Sequence, residues 1–303
     1  MARVELQHTG APASEELYRR LETGDILYFP ETPFPISADE RAFLLSQKQS
    51  SAAYHKNISY RPGTGVLRGV DQKDATKRQR MLETMRAYAD RAIAFMQSFL
   101  PRYARQWRLD FTSFRPLEEA GRNVALRSRN DLIHIDAFGS RPSHGDRLLR
   151  IFTNIHPRQP RVWVTSDPFE TLAEQYANQV GLPSLSSPWR RARGSMLGLL
   201  GGIGIPVVNR PPYDQFMRRF HHFMKESEAF QRECRKDRWE FPPNSTWIVF
   251  TDTTSHSCVS GQYALEQTFI VHLASLAWPE KSPIAILERL AGFPLTAAGA
   301  RSA

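Results

Sequence analysis

The chain has 303 residues, 41% of them hydrophobic and 11% aromatic, enough to bury a sizeable core in one large domain or two small ones. Lys and Arg total 40 against 31 Asp and Glu, a formal charge of +9, which favours polyanionic partners: nucleic acid, anionic lipid headgroups, or phosphorylated and carboxylated substrates. Two cysteines, Cys234 and Cys258, exclude a disulfide framework and a cysteine-built zinc site, and reduced thiols in a cytoplasmic protein are the simpler reading.

The opening residues, Met1-Ala-Arg-Val-Glu-Leu-Gln-His8, hold no apolar run, so no secretory signal is expected. A short helix is predicted around 15–21, then a strand at Asp25-Ile-Leu-Tyr-Phe29 closed by Pro30, Pro33 and Pro35. Ser37-Ala-Asp-Glu40 has the spacing of a capping box and predicts a helix through residue 45. Residues 48–71 read as loop. Met81, Met85, Ala92, Phe95, Met96 and Phe99 form an apolar stripe that predicts a helix over 75–106, broken at Pro101. Its methionines read as ordinary core packing.

Beyond residue 120 the pattern becomes β-branched and aromatic. Strands are predicted at 123–138, 147–155, 161–165, 246–251 and 262–273. Between the third and fourth lies a helical insert. It starts at Asp167-Pro-Phe-Glu170, read as N-cap, N1 proline and N3 glutamate, and continues in a helix over 213–234 with Phe216, Phe220 and Phe223 on one face. The apolar run over 196–208 is too short to span a bilayer, which needs roughly 20 residues. The expected fold is α+β: a double-stranded β-helix (jelly-roll) core with helical buttresses and a long helical insert. One domain over 1–303 is expected, with a mainly helical part (1–120), jelly-roll strands (121–165 and 246–275) and the insert (166–245).

His134 and Asp136 stand two apart, and His256 follows about 120 residues later. Side chains two apart on a strand point the same way, so His134 and Asp136 can grip one ion while Ile133 and Ile135 face the opposite side. Two imidazoles and a carboxylate are the ligand inventory of a non-haem Fe(II) oxygenase. Three protein ligands plus water is also a catalytic zinc pattern, and a buried histidine near a surface aspartate is the bland alternative.

An iron oxygenase of this type usually takes 2-oxoglutarate, whose far carboxylate calls for a guanidinium fork. On 147–155, Arg150, Phe152 and Asn154 share a face, and a mid-strand arginine between apolar neighbours is costly to bury without an anion. Arg127 is a second candidate for contact with cosubstrate or substrate. His144, in a loop just after the ligand pair, could reach substrate. His156 reads as a turn residue, and His221 and His222 as packing and solvent residues of a Phe-rich helix. Basic stretches at 73–80 and at Trp189-Arg-Arg-Ala-Arg193, the latter leading into the apolar run, are what a protein resting on an anionic membrane carries.

Two long motif blocks resemble the Kdo 3-hydroxylases, which act on 3-deoxy-D-manno-oct-2-ulosonic acid (Kdo). One is Asp131-Leu-Ile-His-Ile-Asp-Ala-Phe-Gly-Ser-Arg-Pro-Ser-His-Gly-Asp-Arg-Leu-Leu-Arg-Ile-Phe-Thr-Asn-Ile-His-Pro157. The other is Thr251-Asp-Thr-Thr-Ser-His-Ser-Cys-Val-Ser-Gly-Gln-Tyr-Ala-Leu-Glu-Gln-Thr-Phe269. Gly24-Asp-Ile-Leu-Tyr-Phe-Pro30 and Pro33-Phe-Pro-Ile-Ser37 are similar to the family's opening, so the likeness covers nearly the whole chain. It implies an Fe(II)- and 2-oxoglutarate-dependent dioxygenase that hydroxylates carbon 3 of Kdo in the lipopolysaccharide inner core (Kdo–lipid A), giving Ko. It implies His134, Asp136 and His256 as iron ligands, and a peripheral location on the cytoplasmic side of the inner membrane. Many relatives in the wider superfamily place an arginine about ten residues after the distal histidine. Here that stretch, Tyr263-Ala-Leu-Glu-Gln-Thr268, holds neither Arg nor Lys. The anchor is therefore sought in Arg150, with Asn154 beside it and an amide contribution from Gln262 or Gln267.

Two other readings share these residues. The oxygenase could act on a protein or nucleic-acid substrate, although no nucleic acid is expected as partner. Alternatively, a basic β-barrel module could bind lipid without catalysis.

Overall fold

The computed structural model describes residues 1–47, 57–71, 73–137, 141–186 and 210–296. Eight strands form the larger sheet: β1 (Arg3–Glu5), β2 (Ile26–Phe29), β3 (Ile58–Arg61), β4 (Val66–Arg68), β5 (Trp107–Arg115), β6 (Arg147–Asn154), β9 (Thr246–Phe250) and β11 (Ala264–Val271). Their order is β1-β2-β9-β6-β11-β5-β3-β4. A smaller sheet, in the order β10-β7-β8, joins β7 (Arg161–Pro168), β8 (Asp237–Phe241) and β10 (Thr254–Ser260). From β6 onward the chain passes back and forth between the two, with β6, β9 and β11 in the larger sheet and β7, β8 and β10 in the smaller.

The alternation of β6 sorts its side chains between two environments. Leu149 and Ile151 join Ile248, Phe250, Leu265 and Phe269 on the outer face of the large sheet, packed with α3 (Ala75–Phe99) through residues such as Met85, Tyr88 and Met96. Also in chain order are α1 (Glu15–Glu22), α2 (Ala38–Leu45) and α4 (Pro101–Ala104). On the inner face Phe152 meets Trp247 and Val249 from its own sheet and Trp163, Phe241 and Cys258 from the other. The Trp247 and Phe241 rings stack with centroids 4.0 Å apart, in the range where aromatic pairs add to plain burial. A third core holds α5 (Phe169–Tyr176), α6 (Pro212–Glu226), α7 (Glu228–Glu233) and α8 (Pro283–Ala291), together with Ile133 and Ile135.

Several expectations hold locally. Ser37 and Glu40 make both halves of a capping box, and the long helix stops at Phe99 ahead of Pro101. Others need correction. Residues 123–138 are not a strand. Their described part holds one short 3-10 turn (Leu126–Ser128) and a single bridge from His134 to His256. The part up to residue 120 carries β1 to β5 besides its four helices, which hold more of its residues. β5 escapes a hydrophobic-period reading because it buries Asp110, Thr112 and Ser113. β10, Thr-Ser-His-Ser-Cys-Val-Ser, buries hydroxyls in the same way. The stretch 166–245 contains β8 besides helices. Asp167 is not the N-cap of α5, because β7 runs on through Pro168 and pairs it with Thr254. The 213–234 helix is two helices, the second capped by the Ser227 hydroxyl, which accepts from the Phe230 N–H. The run 196–208 and the basic stretch 189–193 lie outside the described residues. Among the described residues, no helix is long and apolar enough to cross a membrane.

Candidate metal centre

The ligand pair sits on an extended segment held on both edges without being a strand. His134 and His256 exchange backbone hydrogen bonds, His134 N–H to His256 O at 2.9 Å and His256 N–H to His134 O at 2.8 Å. Asp136 N–H donates to Thr251 O at 2.8 Å. On the opposite edge, side chains replace a neighbouring strand. The Gln231 amide accepts from Ile133 N–H (3.1 Å) and donates to Ile133 O (2.8 Å), and His221 Nδ1 donates to Ile135 O at 2.6 Å. Ile133 and Ile135 bury themselves among the helices, so His134 and Asp136 face the other way, into the space between the sheets. The predicted sharing of one face is right, although the strand behind it is not.

His134 Nε2 lies 3.7 Å from Asp136 Oδ1, and His256 Nε2 lies 4.0 Å from Asp136 Oδ2. One ligand atom from each of the three residues lies within 4.8 Å of the others. Donors bound to one first-row ion at about 2.1 Å each stand about 3 Å apart when at right angles, so small side-chain movements bring all three onto one ion. Nδ1 of His134 meets Leu132 O at 2.7 Å and Nδ1 of His256 meets Thr254 O at 2.8 Å. Each carbonyl accepts a hydrogen bond from Nδ1–H and so leaves Nε2 with its lone pair, the tautomer a metal needs. Burial first, then neighbouring cations, holds His134 well below its ordinary pKa, and burial also lowers His256. Both rings are therefore neutral near pH 7. Burial alone would raise the Asp136 carboxyl, but Arg150 and then the His256 and His134 rings hold it far below the usual carboxylate range. Asp136 Oδ2 is buried without a hydrogen bond among the described residues, its nearest cation being the Arg150 guanidinium at 3.3 Å. A buried carboxylate flanked by two Nε2 lone pairs fits a divalent cation.

The three ligands line a pocket of about 350 Å³ together with Arg115, Asn130, Arg150, Phe152, Arg161, Trp163 and Cys258. Trp163 stacks on the His256 ring with centroids 4.7 Å apart. Arg150 Nη1 lies 3.1 Å from Glu266 Oε1 and 3.3 Å from Asp136 Oδ2. Arg115 pairs with the other oxygen of Glu266. Arg161 reaches Glu119 at 3.3 Å and donates to Gly261 O at 3.0 Å. Gly261 has φ +126°, and a Cβ there would come within 2.7 Å of Arg161 Cγ, so glycine lets the backbone close on this arginine. Arg122 also pairs with Glu119, at 3.2 Å. Four guanidinium groups therefore face three carboxylates before any cation binds. The Nε atoms of Arg150 and Arg161 are buried with no acceptor among the described residues. Unused buried donors and excess positive charge call for an anionic ligand.

The expected site residues divide sharply. The structure brings His134, Asp136, His256 and Arg150 together in one pocket. Asn154 is not in it. Its amide donates to Gln159 O and Phe241 O and its oxygen accepts from His156 N–H, so it braces a turn. Gln267 is fully buried and spends its amide on Thr112, Asp110 O and Thr268 O. Arg127 is exposed and paired with Glu226. His144 adopts φ +57° with its N–H on Asp214, and does not line the pocket. The structure thus places none of these four in the metal pocket. Arg115, Arg161, Glu266, Gln231 and His221 were missed. The only one with a sequence signal is Glu266, at the position where an arginine was sought. His221 was read as packing, yet its ring lies edge-on to His134 with centroids 5.1 Å apart.

A family model described as 3-deoxy-D-manno-oct-2-ulosonic acid (Kdo) hydroxylase matches residues 5–294. The chain belongs to the Kdo hydroxylase family. The crystal structure of the Kdo hydroxylase KdoO, a non-haem Fe(II) α-ketoglutarate-dependent dioxygenase, in complex with α-ketoglutarate and Fe(III), is 32% identical over 98% of both chains, with a TM-score of 0.82. KdoO with cobalt(II) and apo KdoO match over the same shares at the same identity, each with a TM-score of 0.83. Comparison with curated proteins returns no match. The family match spans both motif blocks, all three candidate ligands and every arginine of the pocket.

Proposed function

We propose that this chain hydroxylates carbon 3 of Kdo in the lipopolysaccharide inner core, on Kdo–lipid A, to give Ko. It is an Fe(II)- and 2-oxoglutarate-dependent dioxygenase acting on Kdo. The observation that carries this reading is the convergence of His134, Asp136 and His256 on the wall of an arginine-lined pocket, in a chain of the Kdo hydroxylase family. The passage of the chain back and forth between two sheets from β6 to β11 supports a jelly-roll core within a single domain.

His134, Asp136 and His256 would hold the iron, which with 2-oxoglutarate and O2 would supply the oxidising power that turns a C–H bond into C–OH. The remaining chemistry belongs to the chain. Arg150, with Arg115 and Arg161, would receive the far carboxylate of 2-oxoglutarate, for which the buried Nε donors of Arg150 and Arg161 are free. Trp163 and Phe152 wall the pocket and keep water from the reacting centre. Neutral His134 and His256 keep Nε2 available on the metal side throughout turnover, because their protons are committed to backbone carbonyls. The net charge of +9 suits an acidic glycolipid and a peripheral position on the cytoplasmic face of the inner membrane.

The test is direct. Purified protein with Fe(II), ascorbate, 2-oxoglutarate and Kdo–lipid A gives a product one oxygen heavier by mass spectrometry, and His134→Ala gives none. An intact iron site with no oxygen gain on this substrate overturns the substrate assignment.

A further inference from the structure

A second group of arginines converges outside the metal pocket. Arg61 at the end of β3, Arg108 near the start of β5, and Arg141 from the loop after the ligand pair line one cleft of about 350 Å³, with Leu109 and Ile270 also in its wall. Asp110 is the one carboxylate lining it among the described residues. β3 pairs with β5 so that Tyr60 faces Thr112, which sets Arg61 beside Phe111. The Arg61 guanidinium lies 5.2 Å from the Phe111 ring centroid, and the Arg141 guanidinium lies 4.7 Å from the same centroid. Two cations are thus held against one aromatic ring. Arg141 is paired with Asp110, and Arg108 with Asp146 at 3.1 Å. Arg61 has no carboxylate partner among the described residues.

This cleft shares wall residues, through a neighbouring cleft, with the metal pocket. Ser143 belongs both to it and to a neighbouring cleft of about 260 Å³, whose wall also includes Asp146, Tyr213, Asp214 and Asp136. Asp136 in turn lines the metal pocket. Shared wall residues therefore link the arginine cleft to the candidate ligands by way of a group of carboxylates. Carboxylates accept hydrogen bonds from sugar hydroxyls but repel anions. A substrate carrying a second negative group would therefore place it beyond the middle cleft, at the arginine end.

We infer that Arg61, Arg108 and Arg141 form an anion subsite that takes a phosphate ester or a second sugar carboxylate of the substrate while the reacting sugar lies at the metal. The identity of that substrate rests on the Kdo reading above; the anion chemistry of the cleft does not.

The experiment has two arms on the full chain. In the first, the KM of Arg61→Gln and Arg108→Gln is measured with phosphorylated Kdo–lipid A, its dephosphorylated counterpart, and substrates bearing one or two Kdo units. Each variant raises KM for the preferred anionic substrate about tenfold, the scale of one charge-assisted hydrogen bond, and Arg61→Lys falls in between. The substrate whose advantage over its stripped counterpart collapses identifies the group, phosphate or carboxylate. In the second arm, inorganic pyrophosphate is titrated calorimetrically with 2-oxoglutarate in excess to occupy the inner arginines. Wild type binds it, salt-sensitively, and Arg61→Gln weakens it about tenfold. If no Kdo substrate is oxidised but the pyrophosphate difference persists, the Kdo reading fails and the anion subsite stands. Equal pyrophosphate binding in wild type and both variants, with no KM discrimination lost, overturns the subsite.

Discussion

Glu266 Oε1 lies 3.1 Å from Arg150 Nη1. Glu266 is the tenth residue after His256, where many superfamily relatives place the arginine that anchors 2-oxoglutarate. The sign at that position is reversed, and the carboxylate holds two guanidinium groups, Arg150 and Arg115, from neighbouring strands. Burial by itself would raise the Glu266 carboxyl, yet Arg150 and Arg115 outweigh it and keep it lowered, so the pairing is ionic. Glu266→Gln removes the charge that aims both arginines. KM for 2-oxoglutarate should rise about ten- to a hundredfold, the worth of one charge-assisted hydrogen bond. Glu266→Arg should not rescue it, because three cations would then crowd one buried spot. Steady-state 2-oxoglutarate kinetics checks this, and an unchanged KM would remove Glu266 from the anchor.

Metal content gives the second prediction. His256→Ala should lower bound iron from about one per chain to near zero after anaerobic loading, measured by elemental mass spectrometry, with product formation lost in parallel. Asp136→Asn keeps the shape but removes the charge shared by Arg150 and both imidazoles. It should weaken iron binding while the near-ultraviolet circular dichroism stays native. Chelation of wild type should abolish turnover and added Fe(II) restore it. Full iron occupancy in His256→Ala would overturn the ligand set.

The sequence displayed the ligands better than the elements that carry them. His134, Asp136 and His256 were found because ligand chemistry restricts residue types, and the face-sharing logic of a strand survives in any extended segment. The strand at 123–138 failed because its second edge is satisfied by Gln231 and His221 from the helical insert, about a hundred residues distant. No local pattern encodes that partnership. β5 and β10 are hidden because they bury polar residues, so the period-2 apolar signal is missing. Arg150 was legible as a charge between two core residues. Arg115 and Arg161 sit at strand ends, where an arginine usually signals solvent, and their shortest ion pairs, Arg115 with Glu266 and Arg161 with Glu119, join residues far apart in sequence.

Gln231→Leu tests that borrowed edge. The substitution keeps the bulk but leaves Ile133 N–H and C=O without the bonds they now have at 3.1 and 2.8 Å. Unsatisfied buried groups cost about 1–3 kcal/mol each, so a lower Tm is expected. Residues that orient metal ligands typically change metal affinity by about 10–100-fold, so iron titration should weaken by that order. The two readouts separate roles: a fall in Tm with unchanged iron affinity would make Gln231 a purely structural brace.

Glu119 predicts how the pocket responds to acid. Burial pushes its carboxyl upward, but Arg161, then Arg115 and Arg122, outweigh burial and hold it below its ordinary value. A carboxyl whose folded pKa is depressed contributes stability above its unfolded pKa and loses it as pH falls through the folded value. Denaturant unfolding of wild type and Glu119→Gln should therefore differ most near neutrality. The gap should close as pH drops below about 4.3, the ordinary glutamate value. Because Glu119 also holds Arg161 on the pocket wall, the same variant should weaken 2-oxoglutarate binding at neutral pH, where the fold is intact. A constant stability gap across the whole pH range would mean that packing of the side chain, and not its charge, secures this wall.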